Sequence, residues 1–338
     1  MTTLTAPAKP AATVVQENFW NSRVMRRFRR NRLAVTGFFI SLSFVLIAIF
    51  APLLAPPRDN CLRDFEVPEG SSVYNPTGAL FWKALFVPPQ SCFSINRISF
   101  SSVPTPPGVD GAILGTTTGY DIFYGLVWGT RTAFQLAVLV VGMTVFIGLV
   151  VGSIAGYFGG WLDNLFMRAV DIVFAFPSLI LTVVIASILG KGLDKIALAF
   201  IIVGWAGYAR VVRGEILKTR ALEFVDGARA MGASNFQIIF RHVLPNSVTT
   251  LIALVVLDFG TVPLQAAALS FLGLGTPPGY ADWGQMVSFA RATMIGPVGQ
   301  PLAYWFSWFF PGLAILMFGL GWSLLGDALR DALDPREK

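Results

Sequence analysis

Six apolar runs divide the chain: Leu33 to about Ala55, Thr132 to Ala155, Phe166 to Leu189, Ile196 to Val212, Ser247 to Leu272 and Ala303 to Leu325. At about 1.5 Å of rise per residue, such runs match the roughly 30 Å of a bilayer's hydrocarbon. Lipid offers no partner to a backbone N–H or C=O, so each run is expected to satisfy its own groups as a helix. The pattern predicts an all-α integral membrane protein of six transmembrane helices. Its first span is 33–55, an external loop or subdomain follows at 56–130, and a five-helix core occupies 131–328 between terminal tails at 1–32 and 329–338.

The stretch between the fourth and fifth runs is amphipathic: Glu223 to Asn246, EFVDGARAMGASNFQIIFRHVLPN. Phe224, Ala228 and Met231 share a face at helical spacing, and Gly232 stands where a helix ends in the left-handed conformation. Ser234 followed by Gln237 reads as a capping box that opens a second helix, with Phe236, Ile239 and Val243 as its apolar stripe and Asn235 on the solvent side. Pro245 opens the next segment. The unit is helix, glycine elbow, helix, and a polar hairpin in so apolar a chain needs a partner outside the membrane.

Composition excludes a soluble domain, since 54% of the residues are hydrophobic and only 13% charged, with a mean hydropathy of +0.65. The net charge of +6 does not point to nucleic acid, because the basic residues cluster beside apolar spans and no nucleic-acid motif accompanies them. Arg23, Arg26, Arg27, Arg29, Arg30 and Arg32 precede the first run. They predict a cytoplasmic N-terminus behind a tail, 1–18, expected to be disordered. An even number of spans then places the C-terminus, the hairpin and the Gly156 to Asn164 turn on the same side. A cleaved signal peptide would have a shorter apolar core.

Candidate chemistry is sparse. The sequence has no phosphate-binding Gly-x-x-x-x-Gly-Lys-Ser/Thr, and Gly190-Lys191-Gly192 lacks the hydroxyl residue. The sole histidine, His242, has no metal ligands around it, and no nucleophile–base–acid set is apparent. Cys61 and Cys92, the two cysteines, both lie in the external loop, where a disulfide is favoured over two free thiols. Asp163, Arg168 and Asp171 suggest structural ion pairs rather than a relay. Asp258 falls near the middle of the fifth span, where an uncompensated carboxylate costs several kcal/mol. It therefore either lines a pathway or pairs across a subunit interface, with Gln265 two turns on as its companion.

The hairpin resembles the loop that marks inner-membrane permeases of ABC importers: Glu-Ala-Ala, three residues, Gly, nine residues, Ile, any residue, Leu-Pro. The corresponding residues are Asp226-Gly227-Ala228, Gly232, His242, Leu244 and Pro245, with Gly227 and His242 departing from the pattern. WLDNLFMRAVDIVFAFPSLIL, LSFLGLG with Trp283-Gly284, and FPGLAILMFGLGWSLLGDALRDALDP also resemble blocks of the dipeptide, oligopeptide and nickel class, over most of residues 112–335. The resemblance implies a multi-pass subunit of a bacterial-type cytoplasmic membrane that pairs with a second homologous permease. An external solute-binding protein would deliver solute, and two ATPase subunits would bind the ATP and Mg, leaving no cofactor or metal to this chain. It also implies that the hairpin is a coupling element docking on the ATPase through Glu223, Asp226, Ala228, Met231, Gly232, Phe236, Leu244 and Pro245. An ATP-independent channel or secondary transporter is the alternative.

Overall fold

The computed structural model describes residues 31–56, 90–95 and 97–333. Five helices among them are long and apolar enough to cross a membrane: α1 (Arg32–Leu54), α2 (Ile122–Phe158), α5 (Leu193–Arg220), α9 (Thr249–Phe271) and α11 (Trp305–Leu333). The remaining run, the third, is a bent pair, α3 (Gly160–Phe174) and α4 (Ser178–Leu189), which meet at 88°. The sequence predicts one span from Phe166 to Leu189. Pro177 instead ends the helical path, because it has no N–H to continue the ladder and its ring crowds the preceding turn.

Between α5 and α9 lie α6 (Glu223–Ala230), a short turn α7 (Asn235–Gln237), a π-helical segment (Ile238–Val243) and α8 (Leu244–Ser247). A further helix, α10 (Trp283–Ala290), precedes α11. Among the described residues, strand content is one antiparallel pair, β1 (Thr116–Thr117) with β2 (Tyr120–Asp121). α2 begins at Ile122, ahead of the apolar run that starts at Thr132. The Asp121 carboxylate accepts from the backbone N–H groups of Phe123 and Tyr124 and starts α2 at Ile122.

Where hydrocarbon surrounds the helices, close contact comes from small residues. Gly148, Gly152 and Gly156 recur every fourth residue on α2 and face α5. An added Cβ would lie 2.3 Å from the Tyr208 Cβ at Gly148, 2.7 Å from the Val212 Cβ at Gly152 and 3.0 Å from the Ile216 Cβ at Gly156. α11 sits between α1 and α9 in the same manner, Gly321 against Ile40 and Gly326 against Leu257.

The end of the bundle opposite the hairpin is built on aromatic residues. Phe93 stacks on Tyr280 with centroids 5.6 Å apart and packs edge-on against Trp128. Pro52 on α1 has no N–H to offer the carbonyl of Ala48 four residues earlier. Arg131 Nε donates to that carbonyl at 2.5 Å while its Nη2 reaches Ile49 O at 3.1 Å. Trp128 Nε1 closes the end of α1 by donating to Ala55 O at 2.9 Å. In the connection before α10, burial pushes the Tyr280 hydroxyl up to about 12. Asp282 caps α10 by accepting from Gly284 N at 2.9 Å. Burial raises this carboxyl above its ordinary range.

Candidate functional site

α6 is held by one face. Val225 and Ala228 are buried against Ile216 and Val212 of α5 and Tyr157 of α2. Phe224 is 44% exposed and Met231 84% exposed. The expected common face of Phe224, Ala228 and Met231 therefore divides, with Ala228 anchoring the helix from below while the two larger side chains project. Glu223 and Asp226 are exposed in the first turn, where carboxylates complement the helix dipole, and Asp226 accepts from Arg229 Nη1 at 2.9 Å.

Gly232 has φ +85, in the left-handed region. Its N–H donates to Arg229 O at 3.0 Å and the Ala233 N–H donates to Ala228 O at 3.1 Å. This pair of bonds defines a Schellman ending. The chain then restarts through the expected capping box: Gln237 N donates to Ser234 Oγ and Ser234 N to Gln237 Oε1. Ile238, Ile239 and Val243 turn inward, whereas Phe236 is 70% exposed and packs on the exposed Phe240 with centroids 4.4 Å apart and ring planes tilted by 39°. Leu244 is half-buried and Pro245 is exposed in the first turn of α8. Phe236, Phe240 and Leu244 form one wall of an apolar groove of about 590 Å³ whose other wall is Phe146, Val150 and Phe158 of α2, while Phe224 and Met231 project from the hairpin beside exposed Glu223 and Asp226. A polar cleft of about 400 Å³ lies in the elbow, lined by Met231, Gly232, Gln237, Arg241 and His242.

Several determinants were missed from the sequence. Phe240 was signalled by its spacing of four from Phe236. Asn235, expected on the solvent side, accepts from the Tyr157 hydroxyl at 2.8 Å and so ties the hairpin to the end of α2. Asp163 pairs with Arg213 through two bonds of 2.5 and 2.6 Å, and Asp171 pairs with Arg210. The ion pairs thus run from α3 to α5 rather than within one helix.

Asp258 receives the Tyr208 hydroxyl at 2.6 Å and the Thr261 hydroxyl at 3.1 Å. It joins α9 to α5, while Gln265 is exposed on α9 and does not contribute to that contact. Cys92 is buried and disulfide-bonded, and Cys61 lies outside the described residues. No cluster of three or more metal-ligating side chains occurs among the described residues.

Residues 148–338 match the family described as the binding-protein-dependent transport system inner membrane component, and residues 18–67 match the N-terminal transmembrane domain of oligopeptide transport permease C. The dipeptide transport system permease protein DppC of Alkalihalophilus pseudofirmus is 37% identical over 313 residues, 93% of this chain and 89% of that protein. The glutathione transport system permease protein GsiD of Pectobacterium atrosepticum is 34% identical over 321 residues, 95% of this chain and 91% of that protein. The inward-facing MetNI methionine ABC transporter aligns with 62% of this chain and 97% of its own at 19% identity and a TM-score of 0.49.

Proposed function

The chain belongs to the binding-protein-dependent transport system inner membrane components, the permease subunits of ABC importers, and we propose that it imports short peptides by coupling to ATPase subunits through the α6–α8 hairpin. It is the transmembrane subunit, and the ATPase is a separate chain. Dipeptides and glutathione, named for the two relatives, share a small size, a free amine and a carboxylate, and this class of solute is assigned here. The hairpin end and both termini face the cytoplasm. A second homologous permease completes the path, and an external binding protein delivers the solute.

The observation that carries this reading is the exposed apolar face of the hairpin. Phe224 and Met231 stay exposed on a hairpin whose inner residues Val225, Ala228, Ile238 and Val243 are buried, and exposed Glu223, Asp226 and Arg229 surround them. Large apolar side chains grouped and rimmed by charge mark a protein-binding surface. In this scheme ATP binding closes the ATPase pair, the seated hairpins follow, and the helices rock between inward- and outward-open arrangements. Asp258 and Gln265 are assigned to the polar lining of the path or of the permease–permease contact.

The test is co-expression with the partner permease and ATPase subunits, purification in mild detergent and reconstitution with binding protein. Labelled dialanine should enter vesicles only with ATP. Uptake by this chain alone, without nucleotide, would instead establish a channel or secondary transporter.

A further inference from the structure

We propose that the turn between α2 and α3 is a second transmission element, which passes hairpin movement into the bent pair α3–α4 through the positioning residues Asp163, Arg213, Arg220 and Tyr157. This inference rests on the coupling role proposed above for the hairpin. Three clamps converge on residues 156–163. Arg213 of α5 holds the Asp163 carboxylate in the bidentate geometry that fixes orientation as well as distance. Arg220, in the last turn of α5, donates from Nη1 to both Gly156 O and Tyr157 O at 2.8 Å, taking up carbonyls at the end of α2. From the hairpin, Asn235 accepts from the Tyr157 hydroxyl.

The connection they grip has no slack. α2 ends at Phe158 and α3 begins at Gly160, and the direction changes at Gly159 and Gly160 with φ of +68 and +61. α3 itself buries only Val170. Its apolar packing within this chain is confined to Val170 with half-buried Met167 and Val173, set against Ala206, Ala209 and Trp205 of α5. Its position is set by that narrow contact together with the clamps on its first turn and the Arg210–Asp171 pair two turns later. α5 runs into the hairpin after Arg220, so a displacement of the hairpin pulls the clamps together. α3 then moves as a lever, and the break at 175–177, where the path turns by 88°, acts as the hinge.

The experiment uses the reconstituted importer, with spin labels at Asn164→Cys on α3 and Ala230→Cys on α6, each measured against Ile295→Cys at the opposite end. In the otherwise wild-type protein, ATP should shift both distances. In Asp163→Arg or Arg213→Asp the α6 distance should still shift, while the α3 shift falls below half. Dialanine moved per ATP should drop about tenfold, equivalent to ~1.4 kcal/mol. The double reversal, Asp163→Arg with Arg213→Asp, should restore both readouts. Tyr157→Phe, which removes one clamp without changing charge, should give an intermediate α3 response if either reversal fails to fold.

An undiminished α3 shift in both single reversals and in Tyr157→Phe overturns the proposal. So does the loss of both shifts while the ATPase subunits remain bound, which would mean that the clamps support the whole fold. If ATPase subunits do not bind the hairpin of the wild-type protein, the coupling reading fails first, and this inference with it.

Discussion

Gly232→Val perturbs the hairpin at the position where its shape is decided. With φ at +85, a side chain in this left-handed conformation costs roughly 1–2 kcal/mol, and a β-branched one more. A Cβ here meets nothing within 4 Å, so there is no steric overlap to add to that strain. If valine relaxes to negative φ instead, the bonds from Gly232 N to Arg229 O and from Ala233 N to Ala228 O are lost. These exposed bonds contribute on the order of 0.5–1 kcal/mol each. By either route the elbow loses about 1–2 kcal/mol. That is small beside the stability of a folded domain, and the spans should insert and pack normally. Charged against docking, the same energy weakens ATPase-subunit binding about 5- to 30-fold, at 1.4 kcal/mol per tenfold. Binding of the ATPase subunits to permease in nanodiscs, read together with solute-stimulated ATP turnover, measures the effect. Gly232→Asn should lie near wild type, since asparagine tolerates this conformation. Wild-type binding in Gly232→Val, or asparagine as damaging as valine, would refute the backbone argument.

Other expectations test the bundle. Gly148→Ala places a methyl 2.3 Å from the Tyr208 Cβ and 3.0 Å from backbone, and should cost ~1–3 kcal/mol as overpacking. Gly142→Ala, on the same helix with nothing within 4 Å, should be harmless, and thermal unfolding in detergent compares the two. Arg131→Met leaves the Ala48 carbonyl without its donor and should destabilise by ~1–3 kcal/mol, seen as earlier release of α1 in limited proteolysis. Tyr280 titrates near 12 instead of 10.0, so the folded state retains this proton longer than the unfolded chain does. Stability should accordingly fall as pH rises from about 10 to 12. Tyr280→Phe should flatten that part of the profile, and an unchanged slope would assign it to other groups.

The features legible in the sequence were those written locally. Apolar runs report lipid contact residue by residue. The capping box at Ser234–Gln237 and the left-handed Gly232 are encoded within four or five positions, and both are present as expected. What escaped depends on partners remote in sequence. Asp163 is 50 residues from Arg213 and Tyr157 is 78 from Asn235, so no spacing rule joins them. Helical periodicity grouped Phe224 with Ala228 and Met231, but it cannot say which flank of a short helix meets α5. Val225 settles that, and only packing shows it. Pro177 interrupts the third apolar run, while the size of the turn there depends on how α3 and α4 are held on either side.

The bond from Arg131 to the carbonyl exposed by Pro52 bears on the order of synthesis. α1 leaves the ribosome long before residue 131 exists, and it carries an acceptor that hydrocarbon cannot satisfy, at a cost of several kcal/mol. α2 arrives later with a guanidinium towards the end of its span, where insertion costs less than the ~2.5–3.5 kcal/mol of mid-bilayer but is still unfavourable. Each segment is thus a poor tenant of the membrane until it meets the other, and their union removes both penalties in one contact. A nascent chain stalled between residues 60 and 120 should accordingly keep α1 close to the insertion machinery, released only when its later neighbour is made.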